Sequence, residues 1–488
     1  MERHPTNDPP EKEHRAPRDA GLVALIVGAG CALRLLGTDV HSLWFDETMT
    51  LAAAHSADLV ETLKSDRQPP LAILLFRAWI ALVGEEAARV RLLPALVGCG
   101  SLLLFARLAR SCCPGRLRLV ALALFALSPF SIWFSQELRA YFLLELCALI
   151  CLVALQRAIS EPAHSARAAL LVLCACAAAF GAHYMGALLV FTVSAIALTA
   201  KLRGHIAGRQ AGLLIGAAGA GCTLWSPWWW IVTREQLANP WGFTARLSAR
   251  DLAELPLRFF IVEADALPLQ ARFIGYLLGA ALLIAFAAGV WRALRHPRAE
   301  AVFALAAFFA PVLGALLLAL VSYPNFAPRY LMVAEPGAVL LVAWGACSVP
   351  GRIARVGLAT AILAGCAGLA LVHKTSNHKE DFRSACAEVI AHWRPGDRVC
   401  SITGTIEGLS EAPLLHYLRN RPDVLQSLVH ERPLASGRAQ LLPGTRVHVV
   451  YREAPYAVGY LEGVEARSRV EHAGPNRFRV QYVRVAMN

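Results

Sequence analysis

Eleven apolar runs divide this 488-residue chain and constrain its fold more than any other feature. They lie at about 21–37, 91–110, 119–134, 140–158, 168–182, 185–200, 211–231, 272–292, 301–322, 330–348 and 355–372. Each approaches the ~20 residues that an α-helix needs to cross a bilayer. Backbone N–H and C=O groups in lipid must be satisfied within the segment, so such runs fold as helices. Composition argues against a soluble chain: 57% of residues are hydrophobic and only 17% charged, where soluble domains are about a quarter charged.

The connecting segments set the orientation. Loops 111–118, 156–167, 201–210, 291–300 and 351–355 all carry Lys or Arg. They share one side with the N-terminus only if the short apolar segment 71–83 does not cross. That segment spans about 20 Å as a helix, opens on Pro69-Pro70 and has Arg77 at its middle. It reads as a helix lying in the membrane interface. The positive-inside rule then places the N-terminus and the basic loops in the cytoplasm, and the C-terminus outside. The same rule accounts for the net charge of +12 without invoking nucleic acid. No cleavable signal peptide is expected, since 1–20 is polar and 21–37 lacks a small-residue cleavage site.

From about residue 375 the chain turns polar. A helix over 381–393, a turn at Pro395-Gly-Asp397 and strands over 398–403, 446–451 and 478–485 predict a small α/β unit. Three parts are therefore expected: a cytoplasmic tail 1–20, a transmembrane domain 21–374 and an extracytoplasmic α/β domain 375–488. Most of the 13 cysteines fall in apolar runs or basic loops, where they act as small hydrophobes. Cys386 and Cys400 sit in the polar region and can pair if it faces an oxidising compartment. No Cys/His spacing of metal-site type is present.

The outer face gathers the residues that could carry chemistry. Leu-Trp-Phe-Asp-Glu (43–47) puts two carboxylates, Asp46 and Glu47, just beyond the first span. Acids at the mouth of a membrane helix mark a site, or they cap the helix that begins near Thr48. Gln68 precedes Pro69-Pro70. Gln136, Glu137, Arg139 and Tyr141 lie between two spans, where they either bind substrate or cap a helix and snorkel. His183-Tyr184 and Arg329-Tyr330 stand at outer helix ends, as site residues or as interface aromatics and anchors. Glu145 lies within a span, without an evident partner.

The order of motifs resembles a known family. Leu-Trp-Phe-Asp-Glu is followed by Gln-Pro-Pro-Leu (68–71), Arg-Leu-Leu-Pro-Ala-Leu (91–96), Ser-Pro-Phe-Ser-Ile-Trp-Phe-Ser-Gln-Glu-Leu-Arg-Ala-Tyr (128–141) and Pro-Arg-Tyr-Leu (328–331). Asp381-Phe-Arg383 and Pro395-Gly-Asp397 come later. This series is similar to the bacterial branch of the dolichyl-phosphate-mannose–protein mannosyltransferase superfamily. These are GT-C-fold glycosyltransferases, among them the aminoarabinose–lipid A transferase. The resemblance covers roughly residues 20–400. It implies an α-helical polytopic membrane protein with about eleven spans, an interfacial helix and a small C-terminal α/β domain. It implies a polyprenyl-phosphate sugar as donor, an extracytoplasmic acceptor and a place in the bacterial inner membrane, surrounded by lipid.

By the same resemblance, Asp46 matches the catalytic acid of the first outer loop, with Glu47 beside it to orient the acceptor or hold a metal. Arg139 and Arg329 match the arginines that bind the lipid phosphate. Gln68, Gln136, Glu137, Tyr141, His183, Tyr184 and Tyr330 complete a substrate-binding set. Many relatives have His where this chain has Gln68, so that position brings no imidazole for acid–base or metal work. No cofactor is fixed by the sequence, and use of a divalent metal is left open. The chemistry stands without the family: glycosyl transfer needs a base for the attacking hydroxyl and a cation for the departing phosphate. A secondary transporter or lipid flippase is the rival reading. It calls for internal repeats and several charges in mid-span, and neither is evident in the sequence.

Overall fold

The structure, a computed structural model, describes residues 16–65, 69–238, 249–262, 269–321, 327–375, 381–402, 411–428, 446–452, 469–473 and 478–484. Gln68 therefore lies outside the described residues. The protein is mostly helical. Seven helical stretches are long and apolar enough to cross a membrane: Ala87–Cys112, Tyr141–Ser160, Pro162–Ala182, Tyr184–Leu202, Arg272–Arg295, Ala299–Leu320 and Arg352–Thr375.

The other four expected spans are helical too, but shorter, broken or charged. The first is α1 (Ala16–Leu35), which carries Asp19 in its first turn and Arg34 in its last. Three apolar runs break where a proline follows Ser or Glu. Run 119–134 becomes Leu117–Ala126 and Pro129–Phe134. Run 211–231 becomes Gly208–Thr223 and Ser226–Ala238, with Pro227 in the first turn of the second helix. Run 330–348 becomes a 3-10 turn, Pro328–Ala334, and a helix Glu335–Ala346 with Pro336 in its first turn. Proline has no N–H, clashes with the preceding turn and suits a first helical position. At Ser128 the reset is complete, because its hydroxyl accepts from Ser131 N at 3.2 Å and caps the new helix.

Helix α2 (Phe45–His55) and α3 (Leu59–Ser65) form the first long loop, and α4 (Pro70–Val83) is the short apolar helix. At 14 residues, α4 is about 21 Å long. It turns Ala72, Ile73, Phe76 and Ile80 inward and leaves Leu74, Leu75 and Leu82 exposed. Helix Glu335–Ala346 is buried along its whole length. It packs backbone to backbone on Leu269–Arg295: a Cβ on Gly345 would stand 1.6 Å from Ala285 O. Only glycine permits that approach, as at close helix crossings in membranes.

The basic loops meet one another. Arg118 pairs with Asp19 at 2.6 Å, Gln210 donates to Pro162 O at 2.9 Å, and Arg203 donates to Pro297 O at 2.6 Å. They thus gather at the end of the bundle where α1 begins, while the first long loop starts at the other end.

The C-terminal residues carry a helix, Phe382–His392, capped by Asp381, and a mixed sheet in the order β1-β2-β4-β3. β1 (Arg398–Ile402) runs parallel to β2 (Arg446–Arg452), which pairs antiparallel with β4 (Phe478–Arg484). β3 (Arg469–Ala473), on the outer edge, was not anticipated from sequence. Cys386 and Cys400 are both buried free thiols. This part touches the first long loop directly: Leu43 N donates to the Tyr417 hydroxyl at 2.6 Å, and Arg383 donates to Asp39 O at 2.9 Å.

Candidate active site

Asp46 and Glu47 occupy the first turn of α2, yet they serve different purposes. Glu47 is fully buried against Arg91, the first residue of the Arg-Leu-Leu-Pro-Ala-Leu motif. Arg91 Nε donates to Glu47 Oε1 at 2.8 Å and Nη2 to Oε2 at 2.5 Å. The same guanidinium donates to the carbonyls of Thr38 at 2.8 Å, His41 at 2.7 Å and Ser42 at 2.9 Å. All five donors of the guanidinium fork are engaged. Glu47 also accepts from Trp44 N at 3.3 Å and Leu138 N at 3.1 Å. The carboxylate thereby satisfies the start of α2 and ties it to the loop that carries Arg139. The capping alternative thus describes Glu47, which reaches back to Trp44 N.

Asp46 points the other way. Its Oδ2 lies 3.8 Å from Arg139 Nε, beyond hydrogen-bond range. The Asp46 side chain keeps 23% of its surface exposed and that of Arg139 14%. Arg139 Nη1 reaches Thr50 Oγ1 at 3.4 Å, and Thr50 in turn donates to Asp46 O at 3.0 Å. Tyr141 feels the charges of Arg329, Arg139 and Asp46 together. Its ring lies 5.7 Å from that of His183, which is 5.3 Å from the ring of Tyr330. Burial alone would lower the Arg329 pKa. Tyr141, Tyr330, Asp46 and Glu137 outweigh it and hold the guanidinium charged. Arg329 lies 5.7 Å over the ring of Tyr330 and has no ion pair among the described residues.

The His183 imidazole is fixed as well. Its Nδ1 accepts from Met185 N at 3.1 Å, capping the helical turn that follows. Burial first, then the charges of Arg139 and Arg329, push it down to about 3. A neutral imidazole that accepts at Nδ1 carries its proton on Nε2. The structure thus brings Asp46, Arg139, Tyr141, His183, Arg329 and Tyr330 into one cluster.

Other expected site residues have different surroundings. Gln136 Nε2 donates to Arg34 O at 2.6 Å and Leu36 O at 3.0 Å, closing the C-terminal end of α1. Its Oε1 accepts from Lys374 at 2.5 Å, and Lys374 also donates to Leu36 O. A cation at a helix C-terminus is favoured by the helix dipole. Glu137 is buried, and Tyr184 packs its ring 5.9 Å from that of Phe180.

Glu145 finds its partner in the bundle interior. Arg34, whose charge reaches it, donates to the carbonyls of Phe125 and Ala126 and to Ser131 Oγ at 2.7 Å. Glu335 joins this buried network and accepts from Ser128 at 2.6 Å. Three ionisable groups therefore meet within the bundle, of which the sequence marks one, Glu145. The first and last of them lie 301 positions apart, so no local pattern announces them.

Among the described residues, no group of three or more His, Cys, Asp or Glu converges in the manner of a metal site. Glu47, the acid expected to orient the acceptor or hold a metal, has both oxygens engaged with Arg91.

No family model matches the sequence, and no curated relative matches it. Solved structures do match the fold. The apo structure of ArnT from Cupriavidus metallidurans superimposes with a TM-score of 0.58 over 95% of this chain and 98% of ArnT, at 13% identity. The structure of ArnT bound to undecaprenyl phosphate gives 0.54 over the same shares, also at 13% identity. The archaeal oligosaccharyltransferase AglB from Archaeoglobus fulgidus, in complex with an inhibitory peptide and a dolichol-phosphate, gives 0.52 at 10% identity, over 90% of this chain and 70% of AglB. At such identities the likeness speaks to architecture, which matches ArnT over nearly the whole of both chains: this chain is a multi-pass membrane protein with the GT-C fold.

Proposed function

We propose that this protein is a membrane glycosyltransferase that moves a sugar from a polyprenyl-phosphate donor to an extracytoplasmic acceptor. One observation carries the reading. A part-exposed carboxylate, Asp46, stands beside Arg139, and within its electrostatic reach Arg329 is charged and has no ion pair among the described residues. That is the charge layout glycosyl transfer requires.

In this reading Asp46 accepts the proton of the acceptor hydroxyl as its oxygen attacks the anomeric carbon. The new glycosidic C–O bond forms as the bond from the sugar to the phosphate breaks, and the lipid phosphate leaves with the electron pair. A single displacement of this kind inverts the anomeric configuration. Arg139 and Arg329 hold the phosphate, whose negative charge grows in the transition state, so their stabilisation acts on rate as well as on binding. Neutral His183 offers Nε2–H as a donor to the donor sugar or phosphate. Glu47 acts through Arg91 by fixing the loop that presents Asp46. Residues 1–20 would form a cytoplasmic tail, 21–374 the catalytic membrane domain and 375–488 an extracytoplasmic domain, in the inner membrane of a bacterium.

The rival reading, a transporter or flippase, draws on the buried Arg34–Glu145–Glu335 network and the three proline-broken helices. The end-to-end GT-C architecture favours the enzyme. The test is purified protein in nanodiscs given a panel of polyprenyl-phosphate hexoses and pentoses with a cell-envelope extract as acceptor. Polyprenyl phosphate released by the wild type and not by Asp46→Asn supports the enzyme. Lipid movement between leaflets without any release would refute it.

A further inference from the structure

A second pocket lies at the far end of α2, with His55, Arg77, Ile80, Gly84, Glu85 and Arg419 among its lining. Its volume is about 500 Å³, within the range of small-ligand sites. Three parts of the chain build it: the end of α2, the outer side of α4, and the C-terminal segment that bears Arg419.

The charges in it do not cancel. Glu85 is satisfied twice, by His55 Nε2 at 3.1 Å and by the Arg419 guanidinium. Arg77 donates to the carbonyl of Ser56 at 2.9 Å and meets no carboxylate among the described residues. Nearby His416, pushed down to about 4 by burial and then by Arg419, stays neutral and adds no positive charge. Two arginines thus face one acid, and Arg77 is the one that meets no carboxylate among the described residues. Ala54, Ile80 and Gly84 add apolar surface to its lining.

Placement gives the pocket its meaning. His55 lies nine residues beyond Asp46 on the same helix, a rise of about 14 Å. That is the reach of a short oligosaccharide, not of a single atom group.

We propose that this pocket is an acceptor subsite that binds an anionic sugar, carrying a carboxylate or phosphate, while a hydroxyl further along the same glycan lies at Asp46. The proposal rests on the glycosyltransferase reading for what it delivers, though not for the binding itself. Arg77 and Arg419 supply the guanidinium forks that match such anions.

The experiment measures binding of glucuronate, glucose 6-phosphate and glucose to the full chain in nanodiscs of zwitterionic lipid. Wild type, Arg77→Gln, Arg77→Lys and Arg419→Gln are compared, with thermal stability confirming folding. The two acids should bind the wild type more tightly than glucose does. Loss of one charge-assisted contact should weaken them about tenfold in Arg77→Gln, with partial recovery in Arg77→Lys. Equal affinity for glucose and the acids, or unchanged affinity in both folded Gln variants, overturns the proposal. So does competition by phosphatidylglycerol, added in a second series of nanodiscs, that disappears in Arg77→Gln, since it would assign the pocket to a lipid headgroup. Polyprenyl phosphate release is followed in the same preparations. Its absence would count against the enzyme and would leave the binding result standing.

Discussion

Asp46 and Glu47 are neighbours in sequence and share a helical turn, but the structure treats them as opposites. Glu47 is fully buried and bidentate to an arginine with no donor left over. Asp46 is part-exposed and 3.8 Å from an arginine that it does not hydrogen-bond. A saturated pair holds shape, because breaking it strands a buried charge. A part-exposed carboxylate beyond hydrogen-bond range of its arginine stays available to something that is not protein. The same contrast separates Arg329 from Arg91: identical side chains, with no ion pair to Arg329 among the described residues and all five donors engaged in Arg91.

The comparison can be broken by experiment. The largest effect is expected for Arg91→Leu, which leaves Glu47 buried without its counter-charge. A loss of about 3–5 kcal/mol should appear as a large fall in Tm and in yield. Arg91→Lys should rescue little, since three donors on one atom cannot replace five in a plane. If Arg91→Leu unfolds normally but loses transfer, Glu47–Arg91 belongs to the chemistry and the contrast fails.

Asp46→Asn should do the reverse. Turnover should fall about 10²-fold or more while Tm stays near wild type. Glu47→Gln, by contrast, should show first in Tm. A variant of Asp46 as unstable as one of Arg91 would show that both acids are structural.

Arg139→Ala and Arg329→Ala come next. Each should lower kcat and raise the KM for donor, and Arg→Lys should restore only part, because charge returns without the two-point contact. Donor-saturated kinetics on variants with unchanged Tm would measure it. Unaltered kinetics in both Ala variants would reduce the arginines to interface anchors.

The smallest effect concerns His183. Its folded pKa of about 3 lies below the ordinary ~6.5 of a free imidazole. The unfolded chain therefore takes up the proton first, so this group's contribution is fully present above pH ~6.5 and is lost as pH falls toward 3. His183→Gln should flatten the acid side of the Tm–pH curve, and no activity step near pH 6.5 should trace to His183. A step near 6.5 that vanishes in His183→Gln would show that the imidazole is charged in the working enzyme.

Some of this was legible in the chain and some was not, for reasons that differ by residue. The apolar runs were found because hydropathy is a sum over neighbours. Their breaks at Ser128-Pro129, Ser226-Pro227 and Glu335-Pro336 carried a local signal too, and the length of the runs outweighed it. Gln136 was grouped with the substrate-binding residues because it sits among site-like residues, whereas its amide closes α1 from another helix-connecting loop. Arg91 stood within a quoted motif, but its role depends on an acid 44 positions away. The Asp46 cluster was the more legible half, since its members lie at the ends of helices whose order the apolar runs alone predict.

The sequence by itself determined that the chain is a bundle of membrane helices. Hydropathy and loop charge are read a few residues at a time, and lipid enforces them segment by segment. Tertiary structure decided which charges are spent and which are spare. That depends on what each guanidinium or carboxylate meets across the bundle, at distances of a few ångströms between residues far apart in the chain. Adjacent acids of the same charge, on the same helical turn, could be told apart in no other way.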